Sequence, residues 1–249
     1  MKKKNKKVNA AILVIGNEIL SGRTQDKNVS FISNWLNLKC GISVNEVRII
    51  PDLERVIVKN ILELSKNFNY VFTTGGIGPT HDDITAKSIS KALNVKYEYH
   101  KEAFKILENY YSKSKFNDGR KKMAKMPRGA KLIYNPSSAA PGFIIKNIIS
   151  LPGVPSILNS MIENCKRYLI KGSMVHSKTL NLFTVESNIS KKLPASVIFS
   201  TGWTLRPFSY RKPWIPIEIS PLIGLQPACP SSWVTSKHLL VNEQRFSKL

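Results

Sequence analysis

Segments with the pattern of buried strands alternate with amphipathic helical segments along the first 93 residues. Strand patterns cover residues 10–15, 42–50 and 69–73, and apolar residues recur at helical spacing over 26–40, 52–64 and 84–93. This alternation is typical of a parallel sheet, because two parallel strands need a crossover connection that is usually a helix. The sequence therefore predicts an α/β fold with a mostly parallel sheet and helices on both faces.

A glycine-rich loop separates the third strand pattern from the helix that follows it. The loop is Thr73-Thr74-Gly75-Gly76-Ile77-Gly78-Pro79-Thr80-His81-Asp82-Asp83. Glycines let backbone N–H groups approach an anion closely, and a helix N-terminus adds partial positive charge. Carboxylates beside a phosphate typically hold a hard cation or a water. The loop predicts a site for a phosphorylated ligand. The alternative is a tight turn in which Asp82 or Asp83 caps the helix.

A second loop, Gly16-Asn17-Glu18-Ile19-Leu20-Ser21-Gly22, follows the first strand pattern. Ligands of open α/β sheets bind at the carboxyl ends of the strands, so we expect this loop and the glycine-rich loop to converge on one site. Three other polar residues have two interpretations each. Asp26 and Asp52 are either site residues or helix caps, and His81 either contacts a phosphate or metal or is simply solvated.

Charge and cysteine content narrow the classes of partner. Lys and Arg total 38 against 16 Asp and Glu, a net charge of +22, which would suit nucleic acid. The excess is spread as Lys along the chain, so we favour an anionic small molecule over nucleic acid. Three widely spaced cysteines argue against disulfides or zinc and indicate a reducing, cytoplasmic location. No apolar stretch approaches the roughly 20 residues of a membrane span.

Several segments, in order along the chain, resemble the MoaB/Mog-type molybdopterin-binding fold and, more closely, the N-terminal domain of the CinA (competence/damage-inducible protein A) class. They are the 16–22 loop, Asp26 with Asn28, Asp52, the glycine-rich loop from Thr74, 135–143, and Leu151-Pro152-Gly153-Val154-Pro155. The resemblance implies a three-layer α/β domain over residues 8–172 that binds a phosphorylated pterin or nucleotide and often forms homo-oligomers. It also implies two activities. Members of the CinA-like class hydrolyse pyrophosphate bonds in nucleotides such as ADP-ribose or FAD with a divalent metal, and relatives in cofactor assembly bind molybdopterin and adenylylate it.

The resemblance further implies roles for individual residues. Gly75, Gly76 and Gly78 would line the phosphate site, and Gly16 and Thr80 would also belong to the ligand-binding residues. Asp83 would be the acidic residue beside the phosphate, with Asp82 nearby; both would be catalytic, and Asp83 would also hold the metal. Glu18 and Asp52 would face the same pocket, and Pro152 and Gly153 would form its far wall. One departure affects the activity, because Ser156-Ile157-Leu158 stands where the class usually has an acidic residue and a Met.

The C-terminal part of the chain has a different composition. Residues 173–192 resemble the start of the small second domain of the class, and the resemblance stops near Leu193. The last 57 residues hold one of the 20 asparagines, half of the 14 prolines and three of the four tryptophans. This abrupt shift indicates a frameshifted or appended segment, truncated or irregular, over 193–249, and the alternative is a divergent but real module. Three functions stay open: a metal-dependent nucleotide pyrophosphatase, a non-catalytic pterin- or nucleotide-binding module, and a basic nucleic-acid binder.

Overall fold

The computed structural model describes residues 7–172 and the backbone of two short strands at 198–201 and 237–240. The chain divides into two units, Met1–Met174 and Val175–Leu249. The strands of the first unit are β1 (Asn9–Ile15), β2 (Ser43–Ile50), β3 (Tyr70–Thr74), β4 (Tyr97–Tyr99), β5 (Lys125–Pro127), β6 (Lys131–Ile133), β7 (Gly142–Ile145) and β8 (Ile148–Leu151). Its α-helices are α1 (Asn17–Leu20), α2 (Asn28–Trp35), α3 (Glu54–Asn67), α4 (Thr85–Ala92), α5 (Lys101–Tyr110), α6 (Asp118–Lys122) and α7 (Pro155–Met161).

Six of these strands form one sheet in the order β2-β1-β3-β8-β7-β6. The first four run parallel, and β7 is antiparallel to both of its neighbours. Strands β4 and β5 form a separate antiparallel pair. The predicted fold class, a mostly parallel sheet with helices on both faces, is confirmed. The carboxyl ends of β1 and β3 lie side by side, so the loops that follow them emerge at the same edge.

Both faces of the sheet are buried at β1, the strand next to the β2 edge, which explains the continuous apolar sequence of β1. Alternate residues of β1 enter different cores: Ile12 packs in the cluster that includes α2 and α7, and Leu13 packs in the cluster that includes α3, α4 and α5. Both side chains are fully buried. Helix α2 begins beside Asp26, whose Oδ1 accepts a hydrogen bond from Val29 N at 2.9 Å. Asp26 therefore accepts from an N–H of the first turn of α2, as the capping interpretation expects, although the N-cap residue itself is Lys27.

Several local predictions differ from the structure. The helix expected over 26–40 is α2 followed by a π-helical turn, Leu36–Cys40, which ends at Gly41 with φ of 66°. The segment 117–125, whose polar and basic composition is typical of a loop, contains α6, because the side chain of Asn117 accepts a hydrogen bond from Arg120 N and caps it. Strands β4, β5 and β6 were not predicted, since three residues carry too little periodicity. Helix α7 continues into a 3₁₀ helix, Ile162–Tyr168.

In the second unit, β9 (Ile198–Thr201) pairs antiparallel with β10 (Lys237–Leu240). The predictions for 173–192, and for all of 193–249 apart from these two strands, fall outside the described residues. In the part of the chain that the structure describes, no helix is long and apolar enough to cross a membrane.

Candidate functional site

The glycine-rich loop begins with two residues that have backbone conformations suited to glycine. Gly75 has φ of +95°, and a Cβ built there would lie 2.2 Å from Ile15 O. Gly76 has φ of +67°, and its Cβ would lie 2.1 Å from Oγ1 of Thr85. Real Cβ atoms do not come this close to other atoms, so any side chain would displace the loop. The first glycine is also tied to the sheet, because Gly75 N donates to Leu151 O at 3.1 Å.

A third loop closes against this one from β8. A Cβ on Gly153 would lie 3.3 Å from Gly75 Cα, so the Pro152–Gly153 turn packs directly on the start of the glycine-rich loop. The carbonyl oxygen of Gly153 accepts a hydrogen bond of 2.7 Å from Nδ2 of Asn28, at the start of α2. The loops after β3 and β8 and the N-terminal end of α2 therefore meet at one place on the sheet.

The second half of the glycine-rich loop is closed by Asp83. Its Oδ2 accepts hydrogen bonds from the backbone N of Thr80, at 2.8 Å, and from the Thr80 hydroxyl. Gly78 packs on the same carboxylate, since a Cβ there would lie 2.7 Å from that Oδ2. The capping alternative for Asp82 and Asp83 is wrong, because the N-cap of α4 is Ile84 and no side chain caps it. The ammonium of Lys122 donates to Thr80 O.

The loop after β1 differs from its prediction, because Asn17–Leu20 forms the short helix α1. Asp52 ties this loop to the end of β2: its Oδ2 accepts a hydrogen bond from Asn17 N at 2.8 Å. Asp52 does not cap α3, whose N-cap is Leu53, so that interpretation is wrong. The Glu18 carboxylate folds over Gly16, where a Cβ would lie 2.5 Å from Oε1.

Four carboxylates share one electrostatic neighbourhood at this edge of the sheet. Burial raises the pKa of Asp52 above its ordinary value, and the negative charges of Glu18, Asp82 and Asp83 raise it further. The hydrogen bond from Asn17 N opposes these effects. The two predicted loops therefore present their acidic groups to the same region. A cation or a positively charged ligand group there would offset the repulsion between these carboxylates.

The raised pKa of Asp52 predicts a pH-dependent effect on stability. A carboxyl whose pKa is higher in the folded state contributes most stability below its unfolded pKa, and this is lost as pH rises through the folded pKa. Asp52→Asn keeps an oxygen for Asn17 N but carries no charge. We expect this variant to be more stable than the parent at about pH 7, with the difference shrinking toward about pH 4, near the ordinary Asp pKa.

Urea unfolding at the two pH values measures this difference. Asp118→Asn is the matched control, because the Asp118 side chain is fully exposed and should give no such gain. A stability gain for Asp52→Asn that is equal at both pH values would contradict the assignment.

Buried polar atoms without partners lie around the first half of the glycine-rich loop. Within the described residues, Asn28 Oδ1, Thr74 Oγ1 and Thr85 Oγ1 are buried and make no hydrogen bond. An unpaired buried polar atom costs roughly 1–3 kcal/mol, so a fold that keeps three together calls for an explanation. Thr74 precedes Gly75, Thr85 lies against Gly76, and Asn28 holds Gly153. These residues fit a polar ligand group at the loop.

The predicted metal role of Asp83 has no ready-made ligand set around it. Over 7–172, no group of three His, Cys, Asp or Glu side chains is arranged to hold a metal ion. His81, the predicted phosphate or metal contact, is exposed. A cation at this edge would therefore need oxygen ligands from a bound phosphate in addition to those of the protein.

Sequence reasoning missed three residues of the site. Thr74 and Thr85 flank the glycines, and their hydroxyls gave no signal because Thr is common in strands and near helix starts. Lys122 is 42 residues from Thr80 along the chain, and only the folded arrangement brings its ammonium to the loop.

The fold and these loops define an α/β domain with a glycine-rich loop at the carboxyl edge of its sheet. Residues 11–172 match the family model described as a probable molybdopterin binding domain. The chain belongs to this family, as the sequence resemblance predicted.

Relatives and a solved structure agree with this assignment. A protein of Archaeoglobus fulgidus is 33% identical over 182 residues, which cover 73% of this chain and 77% of that protein. A protein of Metallosphaera sedula is 39% identical over 170 residues, covering 65% and 63%. The crystal structure of the protein CinA with unknown function from Thermoplasma acidophilum matches with a TM-score of 0.62 and 31% identity, covering 66% of this chain and 99% of that one. The chain thus spans less than two thirds of the length of the Metallosphaera sedula protein.

Proposed function

We propose that this domain binds the phosphate group of a molybdopterin-type pterin or an adenine nucleotide at the glycine-rich loop. One observation carries the proposal. Within the described residues, the N–H groups of Gly76, Ile77 and Gly78 donate no hydrogen bond, and they follow one another at the carboxyl end of β3. Consecutive free N–H groups in a turn with positive φ form a concavity that suits an anion.

The surrounding residues support this proposal. The closure of the loop by Asp83 and Thr80 keeps these N–H groups in a fixed arrangement. The unpaired Thr74 and Thr85 hydroxyls lie beside Gly75 and Gly76, and Lys122 adds positive charge at Thr80. Pterin and adenine both offer a flat ring with phosphates attached, and the loop would contact the phosphates in either case. The free, buried thiols of Cys40 and Cys165 suit the reducing cytoplasm that we infer for the protein.

A second candidate function is metal-dependent hydrolysis of a nucleotide pyrophosphate of the ADP-ribose or FAD type. The observation that favours it is the repulsion that Glu18, Asp82 and Asp83 exert on Asp52, which raises the pKa of Asp52 beyond the effect of its burial. Carboxylates beside a phosphate would weaken its binding unless a cation accompanies it. A divalent metal supplies that charge and stabilises the phosphate oxygens during displacement. In this function Asp83 is the residue that contacts the metal, and the glycine-rich loop holds the remaining phosphate oxygens.

Titration of the full chain with ADP-ribose, FAD and molybdopterin, with and without Mg²⁺, separates these functions. Saturable binding of a phosphorylated ligand without turnover is the result expected for the binding function. Metal-dependent release of AMP from ADP-ribose or FAD would establish the hydrolase. Random-sequence DNA is the control for the net charge of +22. If only DNA binds, with an affinity that falls steeply with salt, the proposed function is wrong.

A further inference from the structure

Strand β2 is an edge of the main sheet whose outer side has no partner in the described residues, where it pairs with β1 alone. Ile50 O accepts a hydrogen bond from Gly16 N at 3.2 Å, so the backbone groups of Ile50 point toward β1. Backbone groups alternate in direction along a strand. Those of Arg48 therefore point inward as well, and the N–H and C=O groups of Val47 and Ile49 point outward, away from the sheet.

The side chains of β2 separate by charge onto the two faces. Arg48 lies on the α3 face, where its Nη1 donates to Asn60 Oδ1 at 2.7 Å and to Glu63, and its Nε bonds to Glu46. Val47 and Ile49 lie on the other face and are 42% and 43% exposed although both are apolar. An exposed edge strand with apolar side chains is a template for pairing with another strand.

We propose that two copies of this chain associate by antiparallel pairing of their β2 strands, with a two-fold axis at Val47. In this register Val47 lies opposite Val47 of the partner subunit. Glu46 lies opposite Arg48 of the partner subunit, and the same pair repeats on the other side of the axis. The six-stranded sheets of the two copies then form one continuous sheet.

Charge complementarity selects the second copy as the occupant and Val47 as the axis. An axis at residue 46 would place two Glu46 side chains opposite each other, and an axis at 48 would oppose two Arg48 side chains. Like charges directly opposite are destabilising, and opposite charges are stabilising. If the two-fold axis passed between two residues, the outward N–H and C=O groups of Val47 would lie opposite backbone groups that point inward, toward β1 of the partner subunit. Such groups cannot bond to each other. With the axis at Val47, Glu46 of each copy lies opposite Arg48 of the other, as a self-complementary contact between identical chains requires.

The side chains have capacity for this additional pairing. Arg48 uses four of its five N–H donors within the chain: Nε on Glu46, Nη1 on Asn60 and Glu63, and Nη2 on Glu63. One Nη2 donor is left over for a second carboxylate. Glu46 accepts through Oε1, and Oε2 receives no hydrogen bond from the described residues. Both side chains are partly exposed, at 26% for Arg48 and 35% for Glu46.

Sedimentation equilibrium of the full chain tests the proposal, which does not depend on the ligand site. We expect twice the mass of one chain, and we expect Val47→Pro to raise the dimer dissociation constant about tenfold or more. Proline removes the outward N–H at the axis in both copies, and it is tolerated on an edge because no bond to β1 is lost. Val47→Thr keeps the N–H and the branched shape and is the matched control. Circular dichroism checks that each variant is folded.

Disulfide trapping tests the register independently of stability. In a Cys229→Ser background, Val47→Cys should cross-link under mild oxidation, because paired Cα atoms at the axis lie about 5.5 Å apart, within disulfide range. Ile49→Cys, on the same face, should not, because the two copies of residue 49 would lie about 13 Å apart. A monomer at all concentrations, a dimer that Val47→Pro leaves unchanged, or equal cross-linking of the two cysteine variants would overturn the proposal.

Discussion

Gly75→Ala is expected to lower the free energy of unfolding by about 3 kcal/mol and to abolish phosphate binding. Two effects add. An L-residue at φ of +95° costs about 1–2 kcal/mol. A methyl group 2.2 Å from Ile15 O adds about 1–3 kcal/mol, because overpacking must be relieved by a backbone shift. Ile15 is the last residue of the buried strand β1, so the glycine-rich loop would have to move instead.

Gly129→Ala separates the two effects, because Gly129 has a similar φ of +85° and nothing within 4 Å of its Cβ position. This control substitution should lower the free energy of unfolding by about 1 kcal/mol, through backbone conformation alone, and leave ligand binding unchanged. Chemical denaturation and ligand titration of the two variants side by side give both quantities. Equal losses of stability in the two variants would show that the contact with Ile15 O does not constrain the loop.

Asp83→Ala is expected to weaken binding of the phosphorylated ligand by about 10- to 100-fold. Its carboxylate holds both the backbone N and the hydroxyl of Thr80, and hydrogen bonds to a charged group are worth about 1.5–3 kcal/mol. Without them the loop between Gly78 and Thr80 loses the contact that holds it closed. Gly78→Ala should reproduce part of the effect, because its Cβ would lie 2.7 Å from the same Oδ2.

Asp83→Asn distinguishes a positioning role from a catalytic one. The amide oxygen of Asn can still accept from Thr80, so affinity for the phosphate should be largely retained. A metal-binding carboxylate cannot be replaced in this way, so AMP release should fall about 100-fold or more if Asp83 acts in hydrolysis. Asp82→Asn is the neighbouring control and should change affinity little. Unchanged affinity in Asp83→Ala would rule out its closing role, and unchanged turnover in Asp83→Asn would rule out catalysis.

Much of the fold could be predicted because the spacing of apolar residues along the chain indicates the strands and helices. Burial on both faces makes β1 continuously apolar, and the amphipathic stripe of α3 places Ile57, Ile61 and Leu64 on one buried face. These patterns repeat with the spacing of the elements themselves. The three-residue strands β4, β5 and β6 span less than two periods, and pairing partners distant in the chain decide their existence. Helix α6 was missed because its cap, Asn117, lies in a polar and basic segment typical of a loop.

The site was only partly predictable for a related reason. Gly75 and Gly76 stand out because their positive φ angles favour glycine, a restriction that acts locally, whereas Gly78 is restricted by the Asp83 carboxylate packed against it. The roles of the acidic residues depend on distant partners. Asp52, expected as either a cap or a pocket residue, does not cap α3 but accepts a hydrogen bond from Asn17 N, 35 residues away. Asp83 bonds within the loop rather than to the helix that follows it, a choice that local sequence does not decide.

The sequence by itself determined the alternation of strands and helices, the position of the glycine-rich loop and membership of the molybdopterin-binding domain family. Each of these depends on residue order over short distances. The tertiary structure alone decided which polar atoms are buried without partners, that Gly153 packs on Gly75, and that β2 leaves Val47 and Ile49 exposed at an edge. These properties arise from contacts between segments more than 50 residues apart or from the order of strands in the sheet, which periodicity along the chain does not encode.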